Sequence, residues 1–573
     1  MRFLRDPKLQ AVIAVAVALW IPLAYLEWFA GHERTSYILR TTEWAEEIRR
    51  GILFPRWCSD FYGGRGSPMF MFYAPVPYGL AGILTATFLD VITSLKVVAL
   101  LSSIAAGVGT YVLVFNETKN RDAALLGAMA YLAAPYRITN LFERGDIGEF
   151  VIMGLLPVAI ALYRAVVLEV RPQRARSFAA AAAVSHAVVI MTHPIMGLWG
   201  TLLIGLIVAG SALGLLRRGM RQRALILVGA LACAPALAAV YVLPAMMYRT
   251  AVKTDGMVIG WYNPQHQWIF LKTLFMDDVA GTAMPAKIYR IGPILVAAAV
   301  VAAIGILRDR RRGLRTLGWL ALTAVLIWLT LPQASWFWAP NAIPLVVFMQ
   351  FPWRLLGLAV LTAAIALGIG AAAALSRVKP TIQTPIVIAA STTVLLALAW
   401  PLLHAYEMRR TGIVSDPTSI RAGLYSATDA NEYLPAAVPA PPATVRGDLA
   451  QASEGAAVTL AHSDGSRHTL NVTAQRPNAR ITLGLYGFPG WTTRTESGPA
   501  QARLETDEQG LLRIVLPAAG AYRVRVWYGS PPAEKIGVVV SALTFLVLCL
   551  MVAPGAAIRI WRRREILPSG SAA

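Results

Sequence analysis

The sequence predicts a polytopic α-helical membrane protein with about 12 to 13 transmembrane helices and a small extracytoplasmic β-rich domain before the last of them. Two observations carry this. Of 573 residues, 57% are hydrophobic and 14% charged, too apolar for a soluble domain, and the apolar runs repeatedly reach the ~20 residues that cross a bilayer as helix. Between 404 and 535, by contrast, polarity rises and short runs of β character replace the long apolar ones.

The apolar runs fall at 10–30, 74–91, 94–115, 122–140, 147–166, 178–193, 196–216, 223–247, 291–307, 315–332, 354–376, 383–403 and 536–557. The first follows MRFLRDPK and lacks a small-residue cleavage pattern, so it reads as an uncleaved span. The net charge of +21 does not point to nucleic acid. Arginines cluster at 171–176, 217–223, 308–315 and 562–564, each cluster abutting an apolar run without interleaved aromatics. That is the pattern of cytoplasmic loops, not of a channel for single strands.

With those clusters inside, 404–535, 333–353, 248–290 and the turn at 141–146 lie outside, as does the loop after the first span. An odd number of crossings must then separate that first loop from Arg171, yet four apolar runs lie between 74 and 166. One of them is expected to be re-entrant or half-length, unless two have been divided wrongly. Cys58, Cys233 and Cys549 are too far apart to suggest a disulfide framework or a metal site.

The chain therefore divides into a transmembrane domain at 1–403 with its first loop at 31–73, a β-rich domain at 404–535, and a last span with a basic tail at 536–573. Pro435, Pro439, Pro441 and Pro442 mark a linker ahead of the β-type runs AAVTLAH, HTLNVTA, ARITLGLYG, LLRIVLP and AYRVRVWYG, with turn signals at SDGS and DEQG. No metal-ligand spacing, nucleophile elbow or phosphate loop occurs there, so this domain reads as structural or acceptor-docking.

Chemistry is concentrated in the first loop. In GHERTSYILRTTEWAEEIRRG, residues 31–51, Tyr37, Thr41, Trp44 and Ile48 share one helical face while Glu43, Glu46, Glu47, Arg49 and Arg50 lie elsewhere, as in a helix lying flat on a membrane. Glu33 then sits at the bilayer rim. Two readings fit it: a general base raised by partial desolvation, or a solvated carboxylate favoured by the helix dipole. PRWCSDFYGGRGSPMFMFYAPVPYG, residues 55–79, follows as a compact Gly- and Pro-rich loop dense in aromatic rings.

An acid at the mouth of the first span, a surface helix, then G-x-x-x-PRW and G-x-G-x-P-x-F-x-FY-x-P resemble the first loop of the GT-C membrane glycosyltransferases. The similarity is greatest to the 6-pyruvoyl-tetrahydropterin synthase-related, YfhO-type branch. It continues through ERGDIGE at 143–149, THP at 192–194, QFPWRLL at 350–356, NEYLP at 431–435 and FPGW at 488–491, and so covers nearly the whole chain.

The resemblance implies a GT-C-like fold and transfer of a sugar from a polyprenyl-phosphate carrier to a cell-envelope acceptor outside a bacterial-type plasma membrane. It implies Glu33 as the base. As partners it implies membrane lipid and, upstream, a polyprenyl-phosphate sugar synthase and a flippase. The family pattern often reads acid-x-x-x-His, and here Tyr37 stands in the second place. Tyrosine is a poorer ligand than histidine, which weighs against a divalent metal unless His32 compensates; no other cofactor is implied.

Residue chemistry agrees with a lipid-phosphate leaving group, which arginine neutralises best through forked donors. Arg56, Arg65, Arg144 and Arg354 all fall on the outer side, where topology does not require them. Either they hold phosphate or they anchor to headgroups. Tyr37, Trp57, Phe61, Tyr62, Phe70, Phe72, Tyr73, Trp353 and the WFW at 336–338 line sugar and isoprenoid pockets or form an interfacial belt. Asp146 and Glu149, at i and i+3, share a helix face and either orient Arg144, bind the acceptor or form a structural ion pair. His186 and His193 read as polar packing, and Asp277–Asp278 lacks the further ligands of a metal site. A non-catalytic flippase or export component for polyprenyl-linked glycans is the alternative function.

Overall fold

The computed structural model describes residues 5–25, 28–29, 33–73, 75–276, 289–339, 342–343, 346–399, 408–409, 417–426 and 431–553. Its first helix, α1 (Pro7–Ala18), starts behind Asp6, whose carboxylate accepts from Lys8 N–H. Next come α2 (Ile21–Tyr25), the short strand β1 (Trp28–Phe29), α3 (Arg34–Arg49), two single turns α4 (Phe61–Gly64) and α5 (Met69–Phe72), and α6 (Pro75–Thr87). Then follow α7 (Val91–Thr118), α8 (Arg121–Leu132), α9 (Pro135–Thr139), a π-turn over Asn140–Arg144, and α10 (Ile147–Leu168).

Polar contacts fix the ends of these helices. At one end Asp6 accepts from Tyr111 (2.6 Å) and pairs with Arg121, Lys8 meets Asp122 (2.5 Å), and Glu117 meets Arg164. Arg312 of a basic cluster donates to Thr118 O in the same neighbourhood. At the other end Trp20 Nε1 donates to Lys96 O, so α1 and α7 run antiparallel.

Helix α6 keeps both its ends away from the basic end: Val76 N–H donates to Met191 O, and Thr85 O accepts from Arg49 at the close of α3. Its 13 residues span ~20 Å, short of a ~30 Å hydrocarbon core. It packs on α3 and does not cross. Of the four apolar runs α7 and α10 are long and apolar enough to cross, α6 is the half-length one, and the α8–α9 run carries the chain from the basic end at Asn120 back to Arg144.

The bundle continues with α11 (Pro172–Ile190), α12 (Pro194–Arg217), α13 (Arg221–Leu237), α14 (Ala239–Met247), α15 (Gly292–Arg308), α16 (Arg310–Trp328), α17 (Leu356–Ala374) and α18 (Pro380–Val394). Among the described residues six helices are long and apolar enough to cross a membrane, or eight if the bent pairs α13–α14 and α16 with Pro332–Trp338 each count as one. Helix α17, apolar all round, is buried along its whole length at the centre.

Strand β2 (Met408–Arg409) pairs antiparallel with β1, and α19 (Pro417–Ala422) leads towards a β-sandwich. The sandwich contains β3 (Ala450–Ala452), β4 (Ala456–Asp464), β5 (Arg467–Ala474), β6 (Ala479–Tyr486), β7 (Trp491–Ser497), β8 (Arg503–Thr506), β9 (Leu511–Leu516) and β10 (Gly520–Tyr528). The sheets have the orders β4-β5-β10-β7 and β3-β6-β9-β8, and Leu470, Val472 and Val524 belong with Ile481, Leu483 and Ile514 to one core. The last helix, α20 (Pro532–Val552), follows directly.

One expectation changes. Helix α3 does not lie with a polar face in water, because Glu43 and Glu47 are as buried as Tyr37 and Trp44. The loop after it folds back over that face: Asp60 N–H donates to Glu43 (3.0 Å), while Ser59 and Arg50 both donate to Glu47 (2.8 Å).

Candidate functional site

The π-turn at Asn140–Arg144 ends at Gly145, whose φ of +71° suits glycine and lets the chain reverse into α10. Asp146 then caps α10, accepting from Glu149 N–H (2.9 Å). This reversal brings Arg144 back over its own turn, where it donates to Asp146 (3.1 Å) and Glu149 (2.6 Å) and covers the Trp353 ring at 4.7 Å. Tyr136 donates to the other Glu149 oxygen (2.6 Å).

Arg354 enters from the turn Pro352–Leu355 that precedes α17. It lies 3.5 Å from Glu149 and 3.9 Å from Asp146, and its Nε and Nη1 make no hydrogen bond among the described residues. Arg144 is therefore fully engaged, whereas Arg354 keeps donors for a further acceptor. His193 caps α12 through Nδ1, which accepts from Met196 N–H, so its proton belongs on Nε2; that atom is buried, 3.9 Å from Asp146 and without a hydrogen bond. Burial pushes the imidazole down to about 3, and the ring is neutral at physiological pH. Burial also disfavours the Asp146 carboxylate, but Arg144, His193, Arg354 and the Glu149 N–H together hold it below the ordinary range.

Glu33 is fixed to this node by its backbone, since its N–H donates to Arg144 O (2.9 Å). Its carboxylate makes no capping bond to α3 and lies 3.8 Å from Arg40, which donates to Tyr78 (3.0 Å) and covers the Tyr73 ring at 4.8 Å. A cavity of about 70 Å³ is lined by Glu33, Arg40, Tyr73, His193, Gln350 and Arg354. Loss of water at this neck raises the Glu33 pKa, with Arg40 the main opposing influence. Gln350 and Phe351 form part of the cavity lining. Gln350 sits at φ +60°, strained for a non-glycine residue.

The other sequence candidates lie elsewhere. Arg56 donates to Glu534 (3.0 Å), Val240 O (2.5 Å) and Phe70 O (3.3 Å), joining the first loop to α14 and α20. Arg65 donates to Thr444 O (2.6 Å). Trp57 packs against Trp491 (5.3 Å) and Tyr528 (5.1 Å) of the sandwich, and Tyr62 donates to Asn431 (3.1 Å). Phe72 stacks on Tyr433, a cavity residue, at 5.6 Å. Of the four arginines only Arg144 and Arg354 converge; PRW and GRG form the socket for the sandwich. Tyr37 donates to Asp146, Tyr73 lines the cavity and Trp353 supports Arg144. His186 packs remotely between Tyr163 and Thr201. Among the described residues no group of three His, Cys, Asp or Glu is arranged for a metal; His32, Asp277 and Asp278 lie outside those residues.

Arg40, His193, Gln350 and Glu432 also line the cavity, although nothing in their local sequence marks them as a site. Three of them lie in THP, QFPWRLL and NEYLP, and Arg40 lies two helical turns from Glu33 on the Tyr37 side of α3.

No curated protein matches this chain. Among solved structures it is similar to the arabinofuranosyltransferase AftD from Mycobacteria, with 16% identity and a TM-score of 0.41 over 69% of this chain and 27% of that one. It thus spans about a quarter of AftD. It is also similar to ArnT from Cupriavidus metallidurans, both bound to undecaprenyl phosphate (13% identity, TM-score 0.30, 63% of this chain and 77% of that one) and in the apo state (15%, 0.30, 64% and 76%). The profile of the 6-pyruvoyl-tetrahydropterin synthase related domain, a membrane protein, matches residues 70–406, more than half of the chain and the part that carries Asp146, Glu149, His193 and Arg354; the chain belongs to this membrane-protein family.

Proposed function

We propose that the protein is a polyprenyl-phosphate-sugar-dependent glycosyltransferase of a bacterial-type plasma membrane, acting on a cell-envelope acceptor on the side opposite the basic clusters. The observation that carries this reading is that Glu33 and Arg354 line one cavity: an acid whose pKa desolvation raises, and a guanidinium whose Nε and Nη1 make no hydrogen bond among the described residues.

In this reaction the acceptor oxygen forms a bond to the anomeric carbon as the bond from that carbon to the lipid phosphate breaks on the opposite face, inverting the configuration. Glu33 takes the hydroxyl proton, and its raised pKa suits that task. The negative charge leaves with the polyprenyl phosphate, to which Arg354 and the His193 Nε2–H supply donors. Arg144 makes the hydrogen bonds to the two acids, so Arg354, which only ion-pairs with them at 3.5 and 3.9 Å, retains hydrogen-bond donors.

The test is formation of a new glycosidic bond in detergent, using purified protein and a panel of fluorescent polyprenyl-phosphate pentoses and hexoses with envelope glycan acceptors. A product in detergent is expected. Lipid-linked sugar movement in sealed vesicles with no covalent product under any condition would replace this reading with a flippase.

A further inference from the structure

At the end of the bundle opposite the candidate site, a groove of about 590 Å³ opens between the C-terminal parts of α10 and α12 and the N-terminal part of α16. Its two ends differ in chemistry. Arg218, Arg311 and Arg315 stand, exposed, at the end level with the basic clusters, while Leu206, Ile207 and Leu322 line the other. At 1.5 Å per residue, the stretch of α12 from Leu206 to Arg218 makes the groove ~18 Å long. A fourth arginine, Arg164, also lines it but is neutralised by Glu117 and bonded to Ser211 (2.9 Å). Glu117 is the one acid of the lining, so the charge of the other three arginines is uncompensated there.

Glycine keeps the groove wide. Gly210, Gly214 and Gly318 line it, and a Cβ added at any of them would meet nothing within 4 Å. Glycine inside a helix lowers stability relative to alanine, and no close helix approach accounts for these three. Their common effect is open space beside the apolar lining.

We propose that this groove binds an anionic phospholipid of the leaflet at the basic end, with its phosphate among Arg218, Arg311 and Arg315 and an acyl chain along Leu206 and Leu322. Three cations alone would suit any anion, and an apolar cleft any lipid. Their order along one groove, cations at the surface and aliphatic side chains at depth, fits an amphiphile with a negative head. Arginine adds forked donors matched to phosphate oxygens. The groove lies at the far end from Glu33, and the proposal does not depend on the catalytic one.

Native mass spectrometry of the full-length protein tests it, with phosphatidylglycerol, cardiolipin, phosphatidylcholine and undecaprenyl phosphate added separately and in competition. Phosphatidylglycerol or cardiolipin is expected to be retained in preference to phosphatidylcholine, and R218Q/R311Q/R315Q to lower that retention at least about ten-fold. G210L/G214L keeps every charge and fills the groove; it should lower retention similarly, and it decides the matter if the arginine variant fails to fold. Equal retention of phosphatidylcholine, unchanged retention in a folded variant, or displacement of the phospholipid by equimolar undecaprenyl phosphate would each overturn the assignment.

Discussion

The Tyr37 hydroxyl donates a 2.9 Å hydrogen bond to Asp146 Oδ1 and accepts one of 2.8 Å from Gly148 N–H, which fastens α3 to the first turn of α10. One phenol oxygen thus links the helix that follows Glu33 to the acid that holds Arg144. Tyr37→Phe keeps the ring and removes that oxygen, stranding a buried N–H. A loss of about 1–3 kcal/mol is expected, read as a lower melting temperature in detergent, together with reduced turnover because the tie between α3 and α10 beside Glu33 is lost.

Glu33→Gln should reduce turnover by ~10² to 10⁴ while donor binding persists, since size and hydrogen bonding survive and basicity does not. The wild-type acid limb of kcat/KM should lie above the ordinary carboxylate range, with rate rising as the carboxylate forms. Linkage gives the opposite trend for stability. A pKa raised on folding favours the protonated form, so the contribution of Glu33 is present at low pH and lost as pH rises through the folded value. Glu33→Gln should therefore melt higher than wild type at neutral pH and equally at pH 4. A variant that is less stable at neutral pH would contradict the raised pKa.

Arg354→Lys and Arg56→Lys separate two roles that look alike in sequence. Lysine at 354 keeps charge and loses planar donors, so kcat/KM at limiting donor should fall with little change in melting temperature. Lysine at 56 loses hydrogen bonds to backbone oxygens and Glu534, at about 1.5–3 kcal/mol for each bond to a charged group. It should melt lower, with normal kinetics in the protein that remains folded. Equal kinetic defects would return Arg56 to the site.

This contrast also shows how far the sequence was legible. The helical apolar runs, five sandwich strands and the acid–arginine turn at 144–149 follow from composition, periodicity and cap chemistry, all local signals, whereas which apolar run stops short of crossing, as α6 does, depends on what it packs against. Strand β7, WTTRTES, escaped because after Trp491 its half-buried positions are Thr493 and Thr495, without the apolar alternation that marks β9. Arg56 misled for another reason. Its partners Glu534 and Val240 O are far away in sequence, and nothing local distinguishes a guanidinium that clamps backbone from one that waits for phosphate.

Gly66 tests the socket between loop and sandwich. At φ +86°, with Trp57 Nε1 2.3 Å from the place of a Cβ, alanine there is strained and displaces the indole. Gly66→Ala should cost at least about 1–3 kcal/mol and make the sandwich more accessible to limited proteolysis. An unchanged cleavage rate and melting temperature would show that the Trp57 packing does not hold the two parts together.

Topology is checked by cysteines at exposed positions. Ser466 is buried and unsuited to labelling, whereas the Glu454 side chain is 94% exposed and Arg174 is exposed near the basic end. In intact cells a membrane-impermeant thiol reagent should modify Glu454→Cys and leave Arg174→Cys unmodified until the cells are lysed. The reverse pattern would put the cavity on the cytoplasmic side.

The Arg56–Glu534 pair joins residues 478 positions apart, and Trp57 beside it rests on Trp491 and Tyr528. A ribosome adding about 5–20 residues per second needs roughly half a minute to a minute and a half to cover that distance. During this interval the first loop has left the ribosome, yet its ion-pair partner and the rings that cover Trp57 have not been made. The part of the first loop around Arg56 and Trp57 therefore gains these contacts only once the chain has reached the last helix, and a nascent chain stalled before residue 534 would be inserted in the membrane with Arg56 lacking its ion-pair partner.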